Sequence, residues 1–458
     1  MLKFLYLAYG AFSLVCVVLG INAIYAWLRG RPLTRWPYWG LAGVVGIALT
    51  YYFWGSSLEY PDAARHRLAA LGTQTGPIGI AAVWPTREDG FFRGAELAVK
   101  HINDQGGVQV MGPGAKLTPR KLELKIVLES PGDVDRSTYA AVALNTGIQA
   151  VVGHASAAQA ISASVAYNEA GVLYLASTIS DPFLTVHGFP LVLRTISNDR
   201  TAMQGLAAAC VRMNLRRVLV LKARDKYWMT LGRQFADALS TLALQNANAT
   251  AEANATTETN ATADANMTRV TALRSYPTDN PDIIALMSDI STLDFDAVML
   301  ADEYPRAARI IRAMRERGLR QPILGPHGLE SQVLFQLADG WTSDVYILTN
   351  HAGQAATRKS TPLTTPFYED YLKTYGRRPD AAATEAYEAI RVLAQGYAAA
   401  QTVNPAVVAS KLRSRNDWQG LYGAIGFDHR GDATNRKLFL KRSADGTFVL
   451  ADPRDIAN

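Results

Sequence analysis

Cysteine is nearly absent from this chain, with two in 458 residues, Cys16 and Cys210. One lies inside a long apolar run and the other in an amphipathic helical pattern, so they neither pair nor build a metal site, and thiol redox chemistry is excluded. Cys16 follows Ser13-Leu14-Val15, whereas a lipidated cysteine normally follows a small residue, so no lipid anchor is expected there. Charge is also sparse, at 19% of residues. The formal net charge of +6 is scattered, with acidic and basic residues mixed as in Arg87, Glu88 and Asp89. A nucleic-acid partner would need a clustered basic stripe, and none is expected.

Long apolar runs are confined to the amino terminus. Residues 4–28, FLYLAYGAFSLVCVVLGINAIYAWL, hold 25 residues without a formal charge, enough at ~1.5 Å per residue to cross a hydrocarbon core of ~30 Å. A second run, WPYWGLAGVVGIALTYYFWG at 36–55, carries Trp and Tyr at both ends, as interfacial belts do. A signal peptide is the competing reading, but this apolar segment is too long, no A-x-A cleavage site closes it and a second span follows. Arg29, Arg31 and Arg35 crowd the connection between the runs. Positive residues stay cytoplasmic, so the chain after residue 56 is expected outside the inner membrane, tethered by two transmembrane helices.

Beyond residue 77 short apolar runs alternate with amphipathic segments. PIGIAAVW (77–84) reads as a buried strand, and 90–104 as a helix, because Phe91, Ala95, Leu97, Ala98 and Ile102 recur at helical spacing. Strands at 121–130, 149–154 and 172–177 alternate with helices over 134–146, 157–170 and 199–214. The theme repeats with RRVLVLKA, a helix over 228–243, FDAVMLA (295–301), a helix over 305–317 and QPILG. Such alternation implies parallel sheets covered on both faces. Arg306, Arg309, Arg312 and Arg315 recur every three residues and read as a solvated helix face.

In open parallel sheets the ligand crevice lies beyond the carboxyl ends of the strands. That rule selects Trp84 to Asp89, His154 to Ser156, Ser177 to Asp181, Ala223 to Tyr227, Asp302 to Tyr304 and Pro326 to Gly328. None of these stretches has a nucleophile with an adjacent base, a glycine-rich phosphate loop or metal-ligand spacing, so no enzyme, cofactor or metal is expected.

One segment departs from the pattern. NATAEANATTETNATADANMT, Asn248 to Thr268, repeats every six residues with Asn-x-Thr at Asn248, Asn254, Asn260 and Asn266. Its poverty in large apolar residues marks 245–268 as a disordered, solvated insertion. Acidic residues two positions before Asn254, Asn260 and Asn266 resemble an extended bacterial N-glycosylation acceptor. A slipped repeat in an unconstrained loop is the competing and preferred reading.

The runs GFFRGAELAVKHINDQGGV, AVVGHASAAQAISASVAYNEAGVLYLAST, SDPFLT, LRTISNDRTAMQG, VLVLKARDKYWMTLGRQF and RIIRAMRERGLRQPILGPHG, in that order, resemble the branched-chain amino-acid type of periplasmic binding protein, the type I periplasmic binding fold. The resemblance covers roughly 77–455. It implies two α/β lobes joined by three crossovers that close over a small solute, and no enzymatic activity. It divides the chain into a membrane anchor (1–56), a linker (57–76), lobe 1 (77–198 plus 348–430) and lobe 2 (199–347 plus 431–458).

Residue by residue, the resemblance implies ligand contacts from Ser156, from Thr178 and Ser180, and from Tyr227. Relatives that bind α-amino acids carry a glutamate in a Gly-Pro-Glu-Gly turn, where the carboxylate pairs with the ligand's ammonium. This chain has Gly325-Pro326-His327-Gly328, and neither protonation form of histidine replaces a carboxylate in that role. Glu303 is a candidate compensating charge and Trp84 a candidate apolar wall. Ala382 stands where an aromatic is usual, which would enlarge the pocket.

His154 reads as structural, holding its strand exit. His327 is open to two readings, a ligand-contacting donor or a turn residue facing water. The protein as a whole is also open to two: a tethered receptor handing a small polar ligand to an ABC-type permease, or a ligand-free structural or assembly subunit of a membrane complex that reuses the fold.

Overall fold

The structure, a computed structural model, describes residues 29, 60–71, 75–112, 116–130, 134–253, 267–353 and 361–451. The two apolar runs at 4–28 and 36–55 lie outside these, and no helix among the described residues is long and apolar enough to cross a membrane.

Helix α1 occupies 60–71. It is followed by β1 (Ile78–Trp84), α2 (Phe91–Asp104), β2 (Val108–Met111), β3 (Leu117–Arg120), β4 (Leu122–Leu128), α3 (Arg136–Leu144), β5 (Ile148–Gly153), α4 (Ala157–Glu169), β6 (Leu173–Ala176) and β7 (Val192–Arg194). Strands in the order β4-β1-β5-β6-β7 make a parallel sheet. Every residue of β1 is buried, because both faces of the sheet are covered. Ile78, Ile80, Ala82 and Trp84 pack into one apolar cluster, while Ala81 and Val83 pack into the cluster on the other face. This is why the strands read as unbroken apolar runs instead of alternating ones.

The second sheet is built from α5 (Asp199–Arg212), β8 (Arg217–Ala223), α6 (Lys226–Ala253), β9 (Arg269–Tyr276), α7 (Ile283–Ile290), β10 (Ala297–Ala301), α8 (Tyr304–Glu316), β11 (Ile323–Pro326), α9 (Gln332–Leu337) and β12 (Val345–Thr349). The chain then returns to the first lobe with α10 (Thr364–Tyr375), α11 (Ala381–Ala400) and α12 (Pro405–Arg413). Phe367, Tyr371, Ile390 and Leu393 from these helices join the β1 cluster. Helix α11 crosses α2 so closely that a Cβ on Gly94 would meet the Ala383 carbonyl oxygen at 2.0 Å, so the crossing requires glycine. After β13 (Trp418–Gly420), β14 (Gly423–Phe427) and β15 (Ala433–Thr434), the antiparallel strands β16 (Phe439–Ala444) and β17 (Thr447–Leu450) close the edge of the second sheet, in the order β17-β16-β12-β11-β10-β8-β9.

The chain therefore passes between lobes after β7, after β12 and before β16. The first and third passages are tied through Arg194, which is fully buried. Its Nε donates to Asp432 Oδ1 at 2.9 Å, Nη1 to the carbonyls of Ile179 and Asp181 at 3.0 and 2.8 Å, and Nη2 to Thr185 Oγ1 at 2.9 Å. Asn198 Nδ2 donates to the other Asp432 oxygen at 3.0 Å. The second passage joins them where Ser197 N–H donates to Asn350 Oδ1 at 3.0 Å.

The fold revises three expectations. The segment 57–76, read as a linker, contains helix α1, whose Arg67 is buried against lobe 1. Helix α6 runs to Ala253, into the segment read as a disordered insertion from 245, in keeping with the high helix propensity of its alanines. Asn248 lies on that helix, while Asn254, Asn260 and Asn266 lie outside the described residues. Of the four arginines read as a solvated face, Arg315 is buried and donates to the carbonyls of Leu319 and Ser343 at 2.7 and 2.8 Å.

Arg194→Ala is expected to lower unfolding stability by about 3–5 kcal/mol, the range found when one member of a buried ion pair is removed. Denaturant unfolding followed by circular dichroism measures it, and a loss below about 1 kcal/mol, typical of an exposed pair, would show that the tie is dispensable.

Candidate ligand-binding cleft

Three of the strand exits selected from sequence, those bearing Ser180, Tyr227 and His327, meet around Asp199, a residue that carries no sequence motif. Asp199 opens α5, is 2% exposed, and its backbone N–H donates to the Ser180 carbonyl at 2.9 Å. Its carboxyl lies close to the side chains of Ser180, from lobe 1, and Tyr227, from lobe 2, and within electrostatic reach of His327. Burial raises the Asp199 carboxyl above the ordinary range, with His327, Ser180 and Tyr227 opposing that rise. Burial also raises the Tyr227 phenol well above its usual value, and the Asp199 charge adds to it.

The structure thus brings Ser180, Tyr227 and His327 together and separates them from several other candidates. His327 opens a short 3-10 turn directly after β11 and is half-buried. A Cβ on the glycine that follows it, Gly328, would lie 3.1 Å from the Trp228 ring, tighter than an ordinary contact. Ser156 caps α4, its Oγ accepting from Gln159 N–H at 3.2 Å. Thr178 donates its hydroxyl to the His154 carbonyl at 2.9 Å. Trp84 is 8% exposed, stacked on Phe91 with ring centroids 4.1 Å apart, and its Nε1 donates to Asp89 Oδ2 at 2.5 Å. Its ring is therefore chiefly a core element, with little surface left for a ligand. Glu303 is exposed and pairs with Arg306 at 3.1 Å, so its charge is partly compensated on its own helix. His154 is buried in lobe 1, with Nδ1 2.5 Å from Glu129 Oε2 and Nε2 2.9 Å from the Tyr167 hydroxyl.

A second polar network lies beside the crossovers. Lys441 of β16 bonds Glu330, three residues beyond His327. His351, in the second crossover, has Nδ1 3.7 Å from Glu330 and Nε2 3.4 Å from the Tyr368 hydroxyl, which is 2.7 Å from that of Tyr422. Arg436 pairs with Glu388 of α11 at 2.6 Å, and the same carboxylate accepts from Leu421 N–H. Elements of both lobes are thereby linked by charge. Burial alone would raise the Glu330 carboxyl, but hydrogen bonding to His351 and the Lys441 charge outweigh it and bring it down to about 2. Glu385, one turn before Glu388, has the opposite outcome: burial pushes its carboxyl up to about 8, Arg436 opposes, and Glu330, Glu388 and Asp380 add to the rise.

Neither Asp199 nor this network carries a motif. Asp199 sits in a sequence, Asn198-Asp199-Arg200-Thr201, that reads only as a helix start. Among the described residues no group of three or more His, Cys, Asp or Glu is arranged to hold a metal ion. A groove of about 510 Å³ lies elsewhere, on lobe 1 between β4 and α3, lined by Lys125, Val127, Thr138 and Ile148 among others.

The family profile described as periplasmic binding protein matches residues 66–447. The Leu/Ile/Val-binding protein of Citrobacter freundii is 25% identical over 399 residues, covering 86% of this chain and 92% of its own. The leucine-, isoleucine-, valine-, threonine- and alanine-binding protein of Pseudomonas aeruginosa is 24% identical over 373 residues, covering 81% of this chain and 87% of its own. Among solved structures, an ABC transporter substrate-binding protein from Desulfitobacterium hafniense in complex with Leu superposes with a TM-score of 0.67 at 24% identity, over 82% of this chain and 100% of that one. A solute-binding protein from R. palustris in complex with benzoate does so at 0.59 and 14%, over 82% and 95%.

The two glutamates give opposite pH signs. Glu385 binds a proton more tightly folded than unfolded, so its contribution to stability is complete below the ordinary glutamate value of 4.5 and is lost as pH rises through about 8. Glu330 contributes above 4.5 and loses that contribution as pH falls towards about 2. Thermal unfolding of the parent is therefore expected to decline between about pH 5 and 9, and Glu385→Gln to flatten that decline. A variant whose melting temperature falls as steeply as the parent's would refute the assignment.

Proposed function

The chain belongs to the periplasmic binding protein family, and on that footing we propose that it is a membrane-tethered extracytoplasmic receptor capturing a small polar solute between its lobes for an ABC-type permease. It is a solute-binding protein of the ABC-transporter type and not an enzyme, as its relatives are. The tether is supported by the two apolar runs and the arginines between them.

The observation that carries the ligand reading is His327 beside Asp199. Relatives are named for binding leucine, isoleucine and valine, but here a histidine occupies the turn where the resemblance places the ammonium's partner. Asp199 does not substitute for the missing carboxylate, because it is buried and already engaged by Ser180 and Tyr227. The cluster offers the Ser180 hydroxyl, the Tyr227 phenol and the His327 imidazole. These suit a solute presenting oxygen or amide groups: an amide, a urea-like compound, a carboxylate such as an aromatic acid, or a modified amino acid lacking a free ammonium. Closure of the lobes supplies the affinity, through contacts made only in the closed state.

Calorimetry with leucine and valine on the purified protein is expected to show no tight binding; a dissociation constant in the micromolar range or below would overturn this choice of ligand class. Mass spectrometry is expected to find a co-purifying small molecule without a free ammonium, and His327→Ala to weaken its binding by about 10- to 100-fold, the worth of one charge-assisted hydrogen bond.

A further inference from the structure

Helix α1 is attached to one particular end of lobe 1. Arg67, 1% exposed, donates from Nε to the Ile148 carbonyl at 2.8 Å, from Nη2 to the carbonyls of Ala143 and Asn145 at 2.8 and 2.9 Å, and from Nη1 to that of Ala170. Ala143 and Asn145 lie at the end of α3, Ala170 caps the end of α4, and Ile148 begins β5. One guanidinium thus bonds carbonyls at the ends of two helices, and its charge complements the negative end of both helix dipoles. Burial lowers the Arg67 pKa only to about 10, so the charge persists at neutral pH. The rest of the helix is docked as well. Ala63 is buried, Tyr60 and Leu71 pack against the two apolar clusters of lobe 1, and a Cβ on Gly171 would come within 3.2 Å of Ala64.

All four carbonyls sit at the amino-terminal ends of lobe 1 strands, whereas the cleft lies at the carboxyl ends. Only residues 56–59 separate α1 from the second apolar run, and four residues span at most ~14 Å. We propose that α1 holds lobe 1 to the membrane by its base, so that lobe 1 is the membrane-proximal lobe and lobe 2, stacked farther out, is the lobe that moves. This rests on the tether proposed above. The six residues of β5 set the cleft ~20 Å beyond the clamp at ~3.3 Å per residue.

The test uses the full chain in vesicles of phosphatidylethanolamine and phosphatidylglycerol carrying headgroup nitroxides as quenchers. Single fluorophores are placed at Arg65→Cys, beside the clamp, and at Ile284→Cys, in the first turn of α7 on lobe 2, where Ile284 is 71% exposed. Cys16→Ser removes one native thiol, and Cys210 is buried. Quenching is expected to be several-fold stronger at position 65 than at 284; equal quenching, or stronger quenching at 284, overturns the orientation. Arg67→Ala is expected to bring the two positions towards equality, and an unchanged difference in a folded variant would show that the clamp does not orient the lobe. If Arg67→Ala does not fold, a 12-residue Gly/Ser insertion between Glu59 and Tyr60 leaves the clamp intact while lengthening the connection, and is expected to reduce quenching at 65; undiminished quenching would count against the proposal. Alkaline carbonate distinguishes the two levels: release of the parent chain from vesicles refutes the tether itself, whereas retention with equal quenching refutes only the orientation.

Discussion

The two-lobed arrangement depends on one buried ion pair, Arg194 with Asp432. Arg194 ends the last strand of the first sheet and Asp432 belongs to the return segment more than two hundred residues later, so the pair determines where two of the three crossovers run. Its value is geometric more than energetic. Taking a guanidinium and a carboxylate out of water costs several kcal/mol per ion, and the attraction between them does little more than recover it. What the remaining hydrogen bonds to Ile179, Asp181, Thr185 and Asn198 add is direction. The loop bearing Ser180 is held by the same guanidinium that anchors the entry to α5, and Asp199 follows from that placement.

The candidate site is accordingly a product of the crossovers as much as of the strand exits. Ser180 approaches from lobe 1, Tyr227 and His327 from lobe 2, and Asp199 stands at the hinge between them. A buried carboxyl set against polar side chains of both lobes links their relative position to its own hydration. Separating the lobes would expose Asp199 to water and relieve the burial that raises its titration. The Glu330 and Glu385 network works on the same principle from the opposite side of the hinge, where Lys441, His351 and Arg436 compensate some carboxyls and leave Glu385 without an ion pair of its own.

The strands and most helices were legible because a doubly covered parallel sheet imprints itself as unbroken apolar runs, and IGIAAVW needs no context to be read. The turn at His327 was legible because glycine and proline mark it. Asp199 was not, because an aspartate after an asparagine at a helix start has the same sequence signature whether it faces water or a buried serine and tyrosine. The arginines of α8 show the same limit. Spacing placed four of them on a helix but could not separate Arg306, Arg309 and Arg312 from Arg315, which is drawn inward by two carbonyls presented by a loop remote in sequence. Helix α1 was passed over as a linker since it is short and polar. Its stability comes from the carbonyls awaiting Arg67, and those belong to residues 76 to 103 positions further along.

Arg67 and Arg194 illustrate a shared solution to a difficulty of open α/β lobes. Parallel strands and their flanking helices all end at the two rims of a sheet, so each rim collects backbone carbonyls that no regular element can satisfy. A loop that folded over the rim would bring further unpaired groups with it. A guanidinium, with five donors in a fixed plane and no acceptor, closes several carbonyls at once and adds none. Arg67 does this at the base of lobe 1 and Arg194 at the cleft rim, so the same lobe is pinned at both ends of its sheet. Lobe 1 is in this way better suited to remain fixed, and the freedom to rotate is left with lobe 2.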